Sequence, residues 1–238
     1  AYEIVSRDWS SDVCSSDLTT VTVNDNQAPV VTAAANATIN TDVNTCVATY
    51  TVGTAATSDN CSVASLSYVM TGATTGSGSG QLGSKVYNKG VTTITYTVTD
   101  GSGNTSTSVQ TVTVNDTQAP TVTPASNITA NITSGCTKSV AVANATISDN
   151  CATKSLTYTL AGATTLVSTS GQVGTRTFNK GLTTITYTLT DSSNNVSTAT
   201  MTVTVVDTIA PSLVVPSNIT QSIVSGCSKS ITVSNATS

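Results

Sequence analysis

Histidine is absent from the 238 residues, charged residues make up only 8%, and aromatics only 4%. Each shortage excludes something. Without His, the commonest general base, metal ligand and triad base are all missing. Eight Lys and Arg scattered along the chain give no basic footprint for nucleic acid. No apolar run approaches the ~20 residues that span a bilayer. Leu, Glu and Lys are scarce, so a helical protein is disfavoured. What the chain has instead is Thr, about one residue in five, with Val, Ser, Asn and Gly filling much of the rest. β-Branched side chains fit the pleat of a strand, so the composition points to an all-β protein.

The first eighteen residues stand apart. Asp8 to Leu18 looks like a translated sequencing-library adapter, and residues 1–18 are set aside as non-native, with Trp9 and Cys14 among them. They hold four of the twelve acidic residues. The remainder carries seven basic and eight acidic residues, a net charge of −1, so the acidic pI of about 4.4 is not a property of the native chain.

The remainder is a repeat. Val21 to Pro29 reads VTVNDNQAP, Val112 to Pro120 reads VTVNDTQAP, and Val203 to Pro211 reads VTVVDTIAP. Asp25, Asp116 and Asp207 are each 91 residues apart, as are Tyr96 and Tyr187. The expected organisation is a last strand of a preceding repeat at 19–25, whole repeats at 26–116 and 117–207, and the start of a third at 208–238. Both ends then fall inside a repeat, and the chain reads as a piece of a longer array.

Within a repeat the period is two. Ile94, Tyr96 and Val98 share one face of Val91–Thr99, while Thr93, Thr95, Thr97 and Thr99 take the other. Asp100-Gly-Ser-Gly-Asn104 turns the chain into the next strand. In the second repeat Asn194 replaces Gly103, as expected where φ is positive. About seven strands per repeat are predicted, the size of an immunoglobulin-like sandwich, so the fold class is all-β with tandem immunoglobulin-like β-sandwiches arranged end to end.

A core with so few aromatics is thin and would gain from covalent staples. Cys46 and Cys61 lie 15 apart, as do Cys136 and Cys151. Equal spacing favours one bridge per repeat, Cys46–Cys61 and Cys136–Cys151, over free thiols. Two Cys without His or C-x-x-C make a poor zinc site. Cys227 matches Cys136 by the same offset, which puts its partner near position 242. Disulfides imply an oxidising, extracellular setting.

The Asp-x-x-x-Pro segments, Ser-Asp-Asn-Cys at 58–61 and 148–151, and the run Asn88–Asn104 resemble hyalin-repeat (HYR) domains across residues 19–238. The resemblance implies immunoglobulin-like units of secreted and surface adhesins, including those of gliding or biofilm-forming bacteria. Many members carry two further Cys, one after the first Pro and one in the last strand. Here Val31–Ile39 and Thr105–Val112 have neither, so one disulfide per repeat is expected.

Seven of the eight acidic residues after residue 18 sit at repeat punctuation: Asp25, Asp116 and Asp207; Asp59 and Asp149; Asp100 and Asp191. In an immunoglobulin-like sandwich these loops share one end. That would gather Asp116, Asp149 and Asp191, with Asn115 and Asn150 beside them, and Asp25, Asp59 and Asp100 in the same way. Ca²⁺ takes six to eight oxygens, which such loops can supply, so these six Asp are the candidate calcium ligands. The segment 23–26, Val-Asn-Asp-Asn, also resembles the calcium-binding linker of cadherins, although the paired acidic motifs of the preceding domain are absent. The plainer role for each is a turn former bonding its own backbone.

An enzyme is not expected. Ser and Thr have no His partner, the repeats contain no Glu, and Lys89 and Lys180 read as solvated turn charges. The expected function is a non-catalytic stalk or adhesion array of a secreted or cell-surface protein, with neighbouring repeats and an unidentified protein or glycan as partners. The alternative is a ligand-binding module in which Tyr50, Tyr68, Tyr87 or Tyr158 stacks on sugar, although each reads first as a core residue.

Overall fold

The computed structural model describes residues 3–5, 20–226, 228 and 230–236. Trp9, Cys14 and Cys227 lie outside the described residues. The chain divides into two compact units. The first is Ala1–Thr121 with Ser148–Lys154 and Leu189–Ser197; the second is Val122–Ile147, Ser155–Thr188 and Thr198–Ser238.

Among the described residues there are twenty strands and no helix. β1 (Glu3–Val5) lies in the segment set aside above and pairs antiparallel with β2 (Thr20–Thr22). Then come β3 (Val30–Thr32), β4 (Ala37–Asn40), β5 (Val47–Thr51), β6 (Ala56–Ser58), β7 (Val63–Gly72), β8 (Gly76–Ser79), β9 (Ser84–Asn88), β10 (Gly90–Asp100) and β11 (Thr105–Asn115). The next nine repeat this order: β12 (Thr121–Thr123), β13 (Ile128–Asn131), β14 (Thr137–Val142), β15 (Thr146–Ser148), β16 (Thr153–Gly162), β17 (Leu166–Ser170), β18 (Gly174–Asn179), β19 (Gly181–Asp191) and β20 (Val196–Val206).

One layer is the five-stranded sheet β4-β11-β10-β7-β8, and the pairs β3-β6 and β5-β9 make the other. The sheet β13-β20-β19-β16-β17 and the pairs β12-β15 and β14-β18 repeat that topology. The fold is all-β, in tandem immunoglobulin-like sandwiches. Nine strands replace the seven expected because the first segment changes layers. β3 pairs antiparallel with β6, whereas β4 pairs in parallel with β11. The backbone between them, which no ladder serves, is held by side chains. Ser108 Oγ accepts from Ala33 N at 3.1 Å, Gln110 Nε2 donates to Ala35 O at 2.8 Å, and Asn36 Oδ1 accepts from Thr111 N at 2.8 Å. Backbone groups that leave the ladder still need partners, and these side chains supply them. The run 47–58 is likewise split, β5 pairing with β9 and β6 with β3.

The alternation of β10 sets the core. Thr92, Ile94, Tyr96, Val98 and Asp100 are buried, and the residues between them are not. Opposite them in register stand Met70, Tyr68 and Leu66 of β7. The other layer contributes Val31, Ala48 and Tyr87 to the same cluster. Tyr68 meets Tyr96 and Tyr50 meets Tyr87 edge-on, at 6.4 and 6.5 Å between ring centroids. Such pairs add about 0.5–1.5 kcal/mol beyond area burial. Tyr158 packs on Tyr187 at 6.3 Å in the second unit. Tyr68, Tyr87 and Tyr158 are buried and Tyr50 is half-buried, so none offers an open face for sugar stacking. Burial pushes the Tyr87 hydroxyl up to about 12, with Tyr96, Tyr50 and Tyr68 adding to the effect.

Gly103 and Asn194 occupy the same turn position at φ 91° and 69°. Gly72 is more constrained. It ends β7 at φ 95°, where an added Cβ would overlap the Val91 carbonyl oxygen, and Gly162 stands in the same relation to Leu182. Gly72→Ala should cost about 1–3 kcal/mol from backbone strain alone. Urea unfolding tests this: an unchanged midpoint would show that the β7 end relaxes freely.

Candidate metal centre and the cysteine bridge

β10 ends in an irregularity, the register shifting between Thr99 and Asp100. The alternation of β10 carries through this point and leaves the Asp100 side chain inward, 2% exposed. Asp100 Oδ1 accepts from Ser102 N at 2.9 Å and Asn104 N at 2.8 Å, and Asn104 Nδ2 donates to Asp100 Oδ2 at 2.8 Å. Burial pushes this carboxyl up, but the Asn104, Ser102 and Gly103 donors outweigh it and hold the group below the usual carboxylate range. Asp191 repeats the arrangement with Ser193 and Asn195, and Lys89 adds to the lowering there.

Asn104 Nδ2 also donates to the carbonyl oxygens of Asp25, at 3.1 Å, and Gln27, at 3.3 Å. It thereby ties the last hairpin to the segment before β3. Asp25 Oδ1 accepts from Gln27 N at 3.0 Å, and Asp59 Oδ2 accepts from Cys61 N at 3.0 Å and Ser62 N at 2.9 Å. Each of these is a turn-forming bond to nearby backbone. The turns also aim carboxylates at one another. Asp25, Asp59 and Asp100 each offer an oxygen within 4.8 Å of the others, and so do Asp116, Asp149 and Asp191. All six belong to the first unit.

The second cluster is the more buried, with Asp116 at 6% and Asp191 at 0% exposure. Asp116 Oδ1 accepts from Gln118 N and from Asn150 Nδ2, both at 3.2 Å, and Ser193 Oγ donates to Asp116 Oδ2 at 3.2 Å. Lys89 Nζ stands 4.0 Å from Asp116 Oδ2 and donates to Ser192 Oγ at 2.8 Å. Lys89 read as a solvated charge in the sequence; the structure gives it this role. The signal was Asn-Lys-Gly at both 88–90 and 179–181, and Lys180 pairs with Asp207 at 3.1 Å.

Among the described residues eight buried side-chain oxygens have no hydrogen-bond partner, and three of them belong to these loops: Asp59 Oδ1, Asp149 Oδ1 and Asn150 Oδ1. Oxygens bound to one Ca²⁺ at 2.3–2.6 Å lie at most about 5 Å apart, which both clusters satisfy. A set made only of oxygens suits a hard cation and not zinc. Asp207 is held elsewhere, its carboxyl lowered first by the Ile209 N–H and then by Lys180.

The cysteines correct the expectation. The bridge joins Cys46 to Cys151, across 105 residues of sequence with Cα atoms 4.6 Å apart, and both residues belong to the first unit. Cys61 and Cys136 are exposed free thiols, so neither Cys46–Cys61 nor Cys136–Cys151 forms. The reason is extension. The residues between Cys46 and Cys61 run out as β5 and β6, and those between Cys136 and Cys151 as β14 and β15. At ~3.3 Å per residue this carries each pair far beyond the ~7 Å that a disulfide allows between Cα atoms.

Among the described residues no helix is long and apolar enough to cross a membrane. No curated protein matches the chain. Structural similarity extends to the fibronectin(III)-like modules of Clostridium thermocellum CbhA, at 16% identity over 75% of this chain and 95% of that one, with a TM-score of 0.31. Extracellular cadherin domains 3–6 of protocadherin gamma B2 are similar at 13% identity over 74% of this chain, with a TM-score of 0.38; the match covers 47% of that chain. The titin domains z1z2, solved in complex with telethonin, are similar at 16% identity over 78% of this chain and all of that one, with a TM-score of 0.37. The family model for the HYR domain matches residues 115–205. Over those residues the resemblance drawn from the motifs across 19–238 is borne out: residues 115–205 carry a HYR domain.

Proposed function

We propose that the chain is a non-catalytic segment of a secreted or cell-surface protein, a stiff stalk or adhesion array whose loop carboxylates take calcium. The observation that carries the reading is the same three-carboxylate set at matching repeat positions, Asp25, Asp59 and Asp100 and then Asp116, Asp149 and Asp191. A binding module would need one distinctive surface, whereas a spacer repeats its parts. Pro29, Pro120 and Pro211, which fix φ near −65° in the connecting segments, add to the case for limited freedom between repeats. Calcium at the clusters would neutralise carboxylates and join the loops that bear them.

Small-angle scattering tests the stalk: an elongated particle in calcium is expected, and a compact globule overturns the reading. A glycan array discriminates the alternative. Clear binding to any glycan class would favour a ligand-binding module, for which the buried tyrosines offer no stacking face.

A further inference from the structure

The two free thiols occupy the same repeat positions as the two bonded ones. Cys136 lies 90 residues after Cys46, and Cys61 lies 90 residues before Cys151. The contacts around the formed bridge show what each half brings. On the Cys151 side, Asn150 Nδ2 donates to Thr45 O at 2.8 Å. Gln118 accepts from Asn44 N at 3.0 Å and donates to Asp42 O at 3.1 Å. On the Cys46 side, Lys89 reaches Ser192.

Each half has an unused duplicate. Cys61 is preceded by Asn60, the counterpart of Asn150, and lines an open cleft with Asn60, Asp25 and Ser102; Gln27 holds the repeat position of Gln118. Cys136 is exposed beside Lys180, the counterpart of Lys89; Lys180 N donates to Cys136 O at 3.0 Å, as Lys89 N donates to Cys46 O at 3.2 Å.

We propose that Cys61 and Cys136 are the open halves of a disulfide ladder, each made to bond the complementary cysteine of another copy of this repeat in the Cys46–Cys151 manner. The ladder is heterologous, since a Cys136-type thiol takes a Cys61-type thiol and not its own kind, so each added copy leaves one half open for the next. Oxidation proceeds by exchange with a small disulfide such as oxidised glutathione. One Cys thiolate attacks it, forming a mixed disulfide and releasing one glutathione thiolate. The second Cys thiolate attacks the bonded Cys sulfur and releases the other. Two cysteine thiols have then lost two electrons and two protons, and the glutathione disulfide has become two thiols.

The test uses the full chain with Cys14→Ser and Cys227→Ser, carrying in addition either Cys61→Ser or Cys136→Ser. The first protein offers only Cys136 and the second only Cys61, while both keep Cys46 and Cys151. Mixed in a glutathione redox buffer, the pair should give covalent heterodimers linked Cys136–Cys61 by peptide mapping, at least tenfold over the homodimers each protein forms alone. Homodimers in equal yield would overturn the proposal, as would monomers capped with glutathione at both thiols. Mapping Cys46 to any partner other than Cys151 would also overturn it, since the ladder copies that bond.

Discussion

Millimolar calcium should raise the melting temperature of this chain, and chelator should return it. A ligand that binds only the folded form stabilises by RT ln(1 + [L]/Kd), about 2.7 kcal/mol per site at a hundredfold excess over Kd. With the 10⁻⁴–10⁻³ M affinities of extracellular modules, ~10 mM calcium approaches that excess. At about 2–4 °C per kcal/mol for a protein of this size, one site shifts the midpoint by up to about 10 °C. Asp59→Asn and Asp149→Asn each replace a carboxylate that has a buried oxygen without a hydrogen-bond partner, so each should remove one cluster's share of the shift. The two together should abolish it. A wild-type melting curve indifferent to calcium would end the idea and leave these residues as turn formers.

The same carboxylates set a pH dependence. Asp100 and Asp191 ionise more readily folded than unfolded, because Asn104 and Asn195 with their neighbouring N–H donors hold the charged form. Their contribution is complete above the unfolded carboxylate value near 3.9 and is lost as pH falls through the lower folded value. Stability without calcium should therefore decline below about pH 4. The calcium increment should vanish over the same acid range, because protonated carboxyls do not bind the ion.

Cys151→Ser removes the second large contribution. The bridge closes a loop of 105 residues in sequence, and loops of about 100 residues are stabilised by roughly 4.7 kcal/mol in the chain-entropy account. Cys46→Ser and reduction of the wild type should cost the same, while Cys61→Ser should leave the guanidinium midpoint unchanged. That contrast separates the observed pairing from the sequence-adjacent one. A Cys61→Ser loss as large as that of Cys46→Ser would mean that the neighbours are bonded after all.

The sequence by itself determined what depends on local periodicity. Alternation along 91–99 marks Ile94, Tyr96 and Val98 as core, because side chains of a strand point to opposite faces in turn. The 91-residue register marks the turn where Gly103 and Asn194 share positive φ, since each is set by its own few residues. Acidic residues crowding the repeat punctuation are legible in the same way. Tertiary structure decided what depends on where distant segments end. The layer change between β3 and β4 turns on Ser108 and Gln110, some 75 residues away, filling gaps in the backbone ladder. Lys89 becomes a neighbour of Asp116 and Ser192 only once three loops of the first unit converge. The bridge is the clearest case. Fifteen residues of separation suggested a pair, but an extended strand is a spacer, so closeness in sequence became distance in space and the partner lay 105 residues on.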